Sequence, residues 1–161
     1  MFDTFNGLPV HPLVVHGVVV LLPLAILGTI LIAIRPRWRK PYGLLVVAAA
    51  LAATVMIPVA TSSGESLEER VGDAGEHAEL GDQLLFFAIA LVVSSLALVW
   101  LQRRAERRSD GNAEHTSNAV LTTTAVVAVV AAVACGVQVY RVGDSGARAA
   151  WGDTPNAASN R

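Results

Sequence analysis

Four stretches of the chain, 13–34, 43–60, 84–101 and 119–140, contain no Asp, Glu, Lys or Arg. A helix crossing roughly 30 Å of hydrocarbon needs about 20 apolar residues, and each stretch is close to that length. The pattern within them excludes the rival architectures. A soluble bundle would carry a polar stripe on every helix, whereas the residues from Leu44 to Ala53 carry none. Strands of a membrane barrel would alternate in polarity, and these runs do not. Between the second and third stretches, Ser66-x-x-Glu69 has the form of a capping box and predicts a short surface helix. A break follows near Gly72 and Gly75, with helix resuming at Glu76 and running into the third span. The expected fold is all-α, a four-helix transmembrane bundle with a short outer-face helix between spans two and three. Residues 1–151 form one four-span membrane domain, and 152–161 read as a disordered tail.

Composition and charge turn this into a topology. The chain has 161 residues, of which 53% are hydrophobic, and a mean hydropathy of +0.53. Its first ten residues lack a basic region, so the first span reads as a retained helix and not as a cleaved leader. Eight of the 12 basic residues, but only three of the 13 acidic ones, follow spans one and three. By the positive-inside rule the clusters at Arg35 and Arg103 face the cytoplasm, giving a multi-pass plasma-membrane protein with both termini extracytoplasmic. Trp38, Tyr42 and Trp100 fall where an interfacial aromatic belt is expected. The expected partners are the bilayer and a second copy or a subunit of a membrane complex, while Ala128, Ala132 and Gly136, spaced every four residues, indicate tight helix packing and no particular partner. Nucleic acid is not among them, because topology and anionic lipid already account for the basic clusters. Cys135 is the sole cysteine and reads as a small packing residue.

The candidate chemistry lies at one end. With four spans, His11, His16, Glu65, Asp73, His77 and Asp144 share the outer face. Imidazole and carboxylate suit zinc, iron or copper, and imidazole is a usual axial ligand of haem. Two ligand sets follow: haem b held by His16 and His77, or a divalent metal held by His11, His16, His77 and Asp144. His11 and His16 are five residues apart, roughly 140° around a regular helix, so they are not a chelating pair on one face. They converge only if His11 caps the helix while His16 points inward. Against this stand plainer roles: His11 capping a helix, His77 solvated, Asp144 in a turn or an ion pair. Glu68, Glu69, Glu76 and Glu79 read as a solvated acidic face, and His115 as a loop histidine. There is no internal sequence repeat, no Gly-rich phosphate loop and no nucleophile beside a base, so hydrolase chemistry has no support; whether the chain is an enzyme stays open, with a non-enzyme the favoured expectation.

His11-Pro12-Leu13-Val14-Val15-His16 at the first span, Ser63-Gly64-Glu65 with the following His77, and Tyr140-Arg141-Val142-Gly143-Asp144-Ser145-Gly146-Ala147 after the last resemble an uncharacterised bacterial membrane-protein family, domain of unknown function 2231. The resemblance covers nearly the whole chain, to about Trp151, and implies a four-span membrane protein with no established activity. The sequence departs from the pattern at Gly17-Val18, where many relatives have Phe-Pro, and at Asp144, where many have histidine. The functional expectation is a redox or metal cofactor at the outer face. The alternative is a non-catalytic accessory or scaffold subunit whose histidines are structural.

Overall fold

The computed structural model describes residues 4–5, 8–71, 75–109 and 118–151. Asp73, His115 and residues 152–161 lie outside them. A two-residue antiparallel ladder, β1 (Thr4–Phe5) with β2 (Leu8–Pro9), precedes four helices: α1 (Val10–Ile34), α2 (Pro36–Val71), α3 (Glu76–Ser109) and α4 (Asn118–Trp151). All four helices are long and apolar enough to cross a membrane. Each packs against its neighbours in sequence, α4 closes onto α1, and α1 also meets α3 across the diagonal.

The expected short outer-face helix does not exist as a separate element, because α2 continues without a break to Val71. Nothing in Thr61–Ser66 stops it. The Ser62 hydroxyl donates to the Pro58 carbonyl at 2.8 Å, Ser63 to Ala60 at 2.9 Å and Ser66 to Ser62 at 3.2 Å. Hydroxyls folded back onto the preceding turn can be carried in a helix interior. Ser66 therefore sits inside a helix and caps nothing. The chain does break at Gly75, whose φ of 52° a side chain would resist, and the Gly75 carbonyl accepts the first amide bonds of α3, from Ala78 and Glu79.

At the opposite end a single residue, Arg35, separates α1 from α2, and Pro36 opens α2 at the position where its missing N–H costs least. So tight a turn leaves the last carbonyls of α1 to be satisfied by something else. Arg39 does this. Its Nε donates to the Ile32 carbonyl and its Nη2 to the Ala33 carbonyl, both at 2.9 Å, and Nη1 reaches Gln102 Oε1 on α3 at 3.1 Å. Only 5% of Arg39 is exposed.

Small side chains let the helices approach closely. Ala25, Ala50, Ala53, Ala88, Ala128, Ala132 and Cys135 are fully buried, interleaved with Leu22, Leu91 and Leu98. The expected stripe on α4 is real, with Ala128 and Ala132 in the core and Gly136 against Ile26 of α1. Gln138 is, with Thr29, Arg39, Ser94 and Ser95, one of several polar residues in the interior. Its Nε2 donates to the Leu80 carbonyl at 3.0 Å and its Oε1 accepts from Arg141, which ties α4 to the first turns of α3. Gln138→Leu should cost about 1–2 kcal/mol, the usual penalty for a buried hydrogen bond with an orphaned partner, read as a lower midpoint of detergent-phase unfolding. A midpoint at or above wild type would show that packing and not the hydrogen bond matters there.

The burial pattern repeats between the two halves, at one offset for α1 with α3 and another for α2 with α4. Val18, Leu22, Ala25, Thr29, Ile32 and Ala33 of α1 are buried, and so are their counterparts Leu84, Ala88, Leu91, Ser95, Leu98 and Val99 of α3. Val46, Ala50 and Ala53 of α2 correspond likewise to Ala128, Ala132 and Cys135 of α4. The bundle is thus two like helical hairpins, α1–α2 and α3–α4, running in the same sense.

Candidate functional site

The up-down-up-down arrangement brings the first turns of α1 and α3 together with the last turns of α2 and α4. His11, His16, Glu65, His77 and Asp144 are all at this end. They do not form one cluster.

His11 is half-buried against α2. Its Nδ1 lies 2.9 Å from the Ala60 carbonyl and 3.2 Å from Ser63 Oγ, while Gly64 leaves room for the ring: a Cβ there would lie 3.2 Å from His11 Cε1. His77 makes the same arrangement with α4. Its Nδ1 lies 3.1 Å from the Val142 carbonyl and 3.3 Å from Ser145 Oγ, and a Cβ on Gly146 would lie 2.9 Å from its Cε1. In each case the serine hydroxyl also donates to the same carbonyl, at 2.9 Å from Ser63 and 3.0 Å from Ser145.

This geometry fixes the tautomer. A carbonyl oxygen can only accept, so Nδ1 must carry the proton in both rings, shared between the carbonyl and the serine oxygen. In the neutral ring Nε2 is then a bare lone pair. Every hydrogen bond that either ring makes among the described residues runs through Nδ1. Imidazoles that bind metals are commonly oriented this way, with the second nitrogen donated to a carbonyl or carboxylate.

The remaining residues are placed differently. His16 is exposed and continues the outward stripe of Leu13, Val20, Leu24 and Leu27, so it points away from the helix neighbours that His11 touches. Asp144 Oδ2 pairs with Arg148 Nη2 at 2.7 Å, one turn along the exposed side of α4. Glu65, Glu76 and Glu79 are exposed, as a solvated acidic face would be. Among the described residues no three or more His, Cys, Asp or Glu side chains come close enough to hold a metal ion. The serine-glycine pairs that seat the imidazoles were not singled out as site residues by sequence reasoning. Their sequence signals are that Ser-Gly occurs near the end of both hairpins and that both pairs fall within the motifs carrying the family resemblance.

Gly146→Ala should displace the His77 ring, because the nearest ring atoms belong to a side chain already held at Nδ1. An amide-exchange comparison should show the first turn of α3 opening more readily than in wild type; unchanged protection would mean the ring moves aside at no cost.

No curated protein and no solved structure matches the chain. A family model described as "Predicted membrane protein (DUF2231)" matches residues 7–156. With its four membrane-length helices and a match over nearly its whole length, the chain belongs to the DUF2231 family of predicted membrane proteins.

Proposed function

We propose that this membrane protein holds a redox or metal cofactor, haem b or a divalent metal, through imidazoles at the histidine end of the bundle. The observation that carries the reading is the fixed tautomer of His11 and His77: each ring is tied through Nδ1–H to a helix carbonyl and keeps Nε2 as a Lewis base. The test is an absorption spectrum with elemental analysis of the protein purified in detergent. A Soret band or stoichiometric metal is expected. Protein that is colourless and metal-free, and remains so after exposure to haem and to metal salts, would sink the reading.

A second reading is favoured by the same hydrogen bonds taken alone. Each imidazole bridges two helices of one hairpin, as a structural lock in an accessory or scaffold subunit would. It predicts that loss of the histidines lowers stability with no cofactor involved.

The histidine end belongs outside a plasma membrane, with both termini extracytoplasmic. At the other end Arg35 lies over the Trp38 ring at 5.6 Å, Arg104 over the Trp100 ring at 5.1 Å, and Tyr42 packs edge-on to Trp38, supporting an aromatic and basic belt at the cytoplasmic interface. Single cysteines at Glu65 and Arg107, in a Cys135→Ala background, should react with an impermeant maleimide on intact cells at the first position only. Reaction at Arg107→Cys alone would invert the topology.

A further inference from the structure

The two histidine arrangements are equivalent under the repeat that relates the hairpins. His11 corresponds to His77 at the same offset that pairs Val18 with Leu84 and Thr29 with Ser95, and Ser63-Gly64 corresponds to Ser145-Gly146 at the offset that pairs Ala50 with Ala132. Between α1 and α3, residues 10–34 and 76–100 share only this histidine at corresponding positions. In a pair of helices so free to drift in sequence, one identical residue with an identical hydrogen-bonding partner set stands out. Helix packing alone does not require it. The buried positions accept Leu opposite Ala and Ala opposite Leu, so a lock between helices could equally have been apolar in one half.

Resting on the cofactor reading above, we propose that His11 and His77 are a symmetry-related pair of ligands to one transition-metal centre. Ser63 and Ser145 act as positioning residues that hold each ring by Nδ1. The two rings stand on α1 and α3, the helices that meet across the diagonal, each at the first turn. The chemistry that fits is a borderline Lewis acid with at least two open coordination positions, which describes both the iron of a b-type haem and a bare divalent ion such as Cu(II) or Ni(II). His16, on the outward stripe, and Asp144, paired with Arg148, are not members of the pair.

The test titrates the full-length protein in detergent with hemin, and separately with Cu(II) and Ni(II) chloride. The variants are His11→Ala, His77→Ala, His16→Ala and the positioning variants Ser63→Ala and Ser145→Ala. Wild type should bind one equivalent of one probe class, and which class binds identifies the centre. Either alanine at the pair should weaken binding at least about a hundredfold, His16→Ala by less than about twofold, and either serine variant by about tenfold, as outer-shell partners do. With hemin the wild type should be low-spin, and His11→Ala or His77→Ala high-spin until free imidazole restores the spectrum, a change that a purely structural role would not produce. Nitrogen NMR of wild-type protein keeps the proposal testable if a variant misfolds: both Nε2 atoms should appear as bare nitrogens in the ligand-free protein and both should shift on titration. Binding that survives in His11→Ala or His77→Ala, or a shift at only one ring, overturns the pair while leaving a cofactor site elsewhere at this end. Failure of wild type to bind any probe overturns the pair and the cofactor reading together.

Discussion

Arg39→Ala should be among the most damaging single substitutions in this chain, at about 3 kcal/mol, the sum of two hydrogen bonds from a charged donor at roughly 1.5 kcal/mol each. The guanidinium closes the end of α1 by donating to the Ile32 and Ala33 carbonyls, and only one residue separates that helix from the next. Without it the carbonyls lose their partners at a tight junction, and the favourable placement of a cation at a helix C-terminus goes too. Arg39→Lys should recover less than half the loss. An ammonium is a compact point charge and cannot fork to two carbonyls while reaching Gln102. Gln102→Leu, which removes the third contact and leaves the cap, should cost about 1 kcal/mol. The measurement is the unfolding midpoint in mixed micelles by loss of helicity. An Arg39→Ala midpoint within about 0.5 kcal/mol of wild type, the range of an inert surface change, would show that water or lipid satisfies the carbonyls equally well.

Alanine at two glycines should have effects of opposite sign, and the closer clash should be the harmless one. A Cβ on Gly43 would lie 2.7 Å from Val99 Cγ2 and 3.2 Å from Cγ1. Valine is branched at Cβ and nearly fixed in a helix, so the backbones of α2 and α3 must separate, at a cost of roughly 1–3 kcal/mol. The better helix propensity of alanine returns at most about 1 kcal/mol. At Gly17 the new Cβ would come within 2.2 Å of Met56 Cε, yet that atom is the end of a flexible thioether that can turn aside. Gly17→Ala should therefore be neutral or stabilising by up to about 1 kcal/mol, and Gly43→Ala destabilising by about 1–2 kcal/mol. Equal midpoints for the two variants would mean that the α2–α3 contact is loose enough to absorb a methyl group.

These residues also show where the sequence was legible. The four spans could be read because uninterrupted apolar runs of membrane length have few alternative explanations, and the break before α3 because Gly75 adopts a backbone conformation that other residues resist. The short outer helix was misread because Ser66-x-x-Glu69 satisfies a capping pattern without saying whether the preceding turn is already helical; here it is. Arg39 was read only as one of a basic cluster, since local composition cannot tell a cation that faces lipid from one folded under a helix end. The gathering of histidines at one end followed from topology alone. The division of His11 from His16, and the matching seats of His11 and His77, required packing. The repeat of buried positions was hidden because burial leaves side-chain size and identity free to exchange between the halves, as Leu22 against Ala88 and Ala25 against Leu91 show.

The single-residue junction at Arg35 bears on how the two halves depend on each other. The His11 seat and the two carbonyl bonds of Arg39 draw only on residues between His11 and Gly64, with Gln102 supplying a later addition. The contacts that fasten α1 to α2 at both ends are therefore complete within the first 64 residues, and α3 and α4 pack against a hairpin that needs neither of them to be closed.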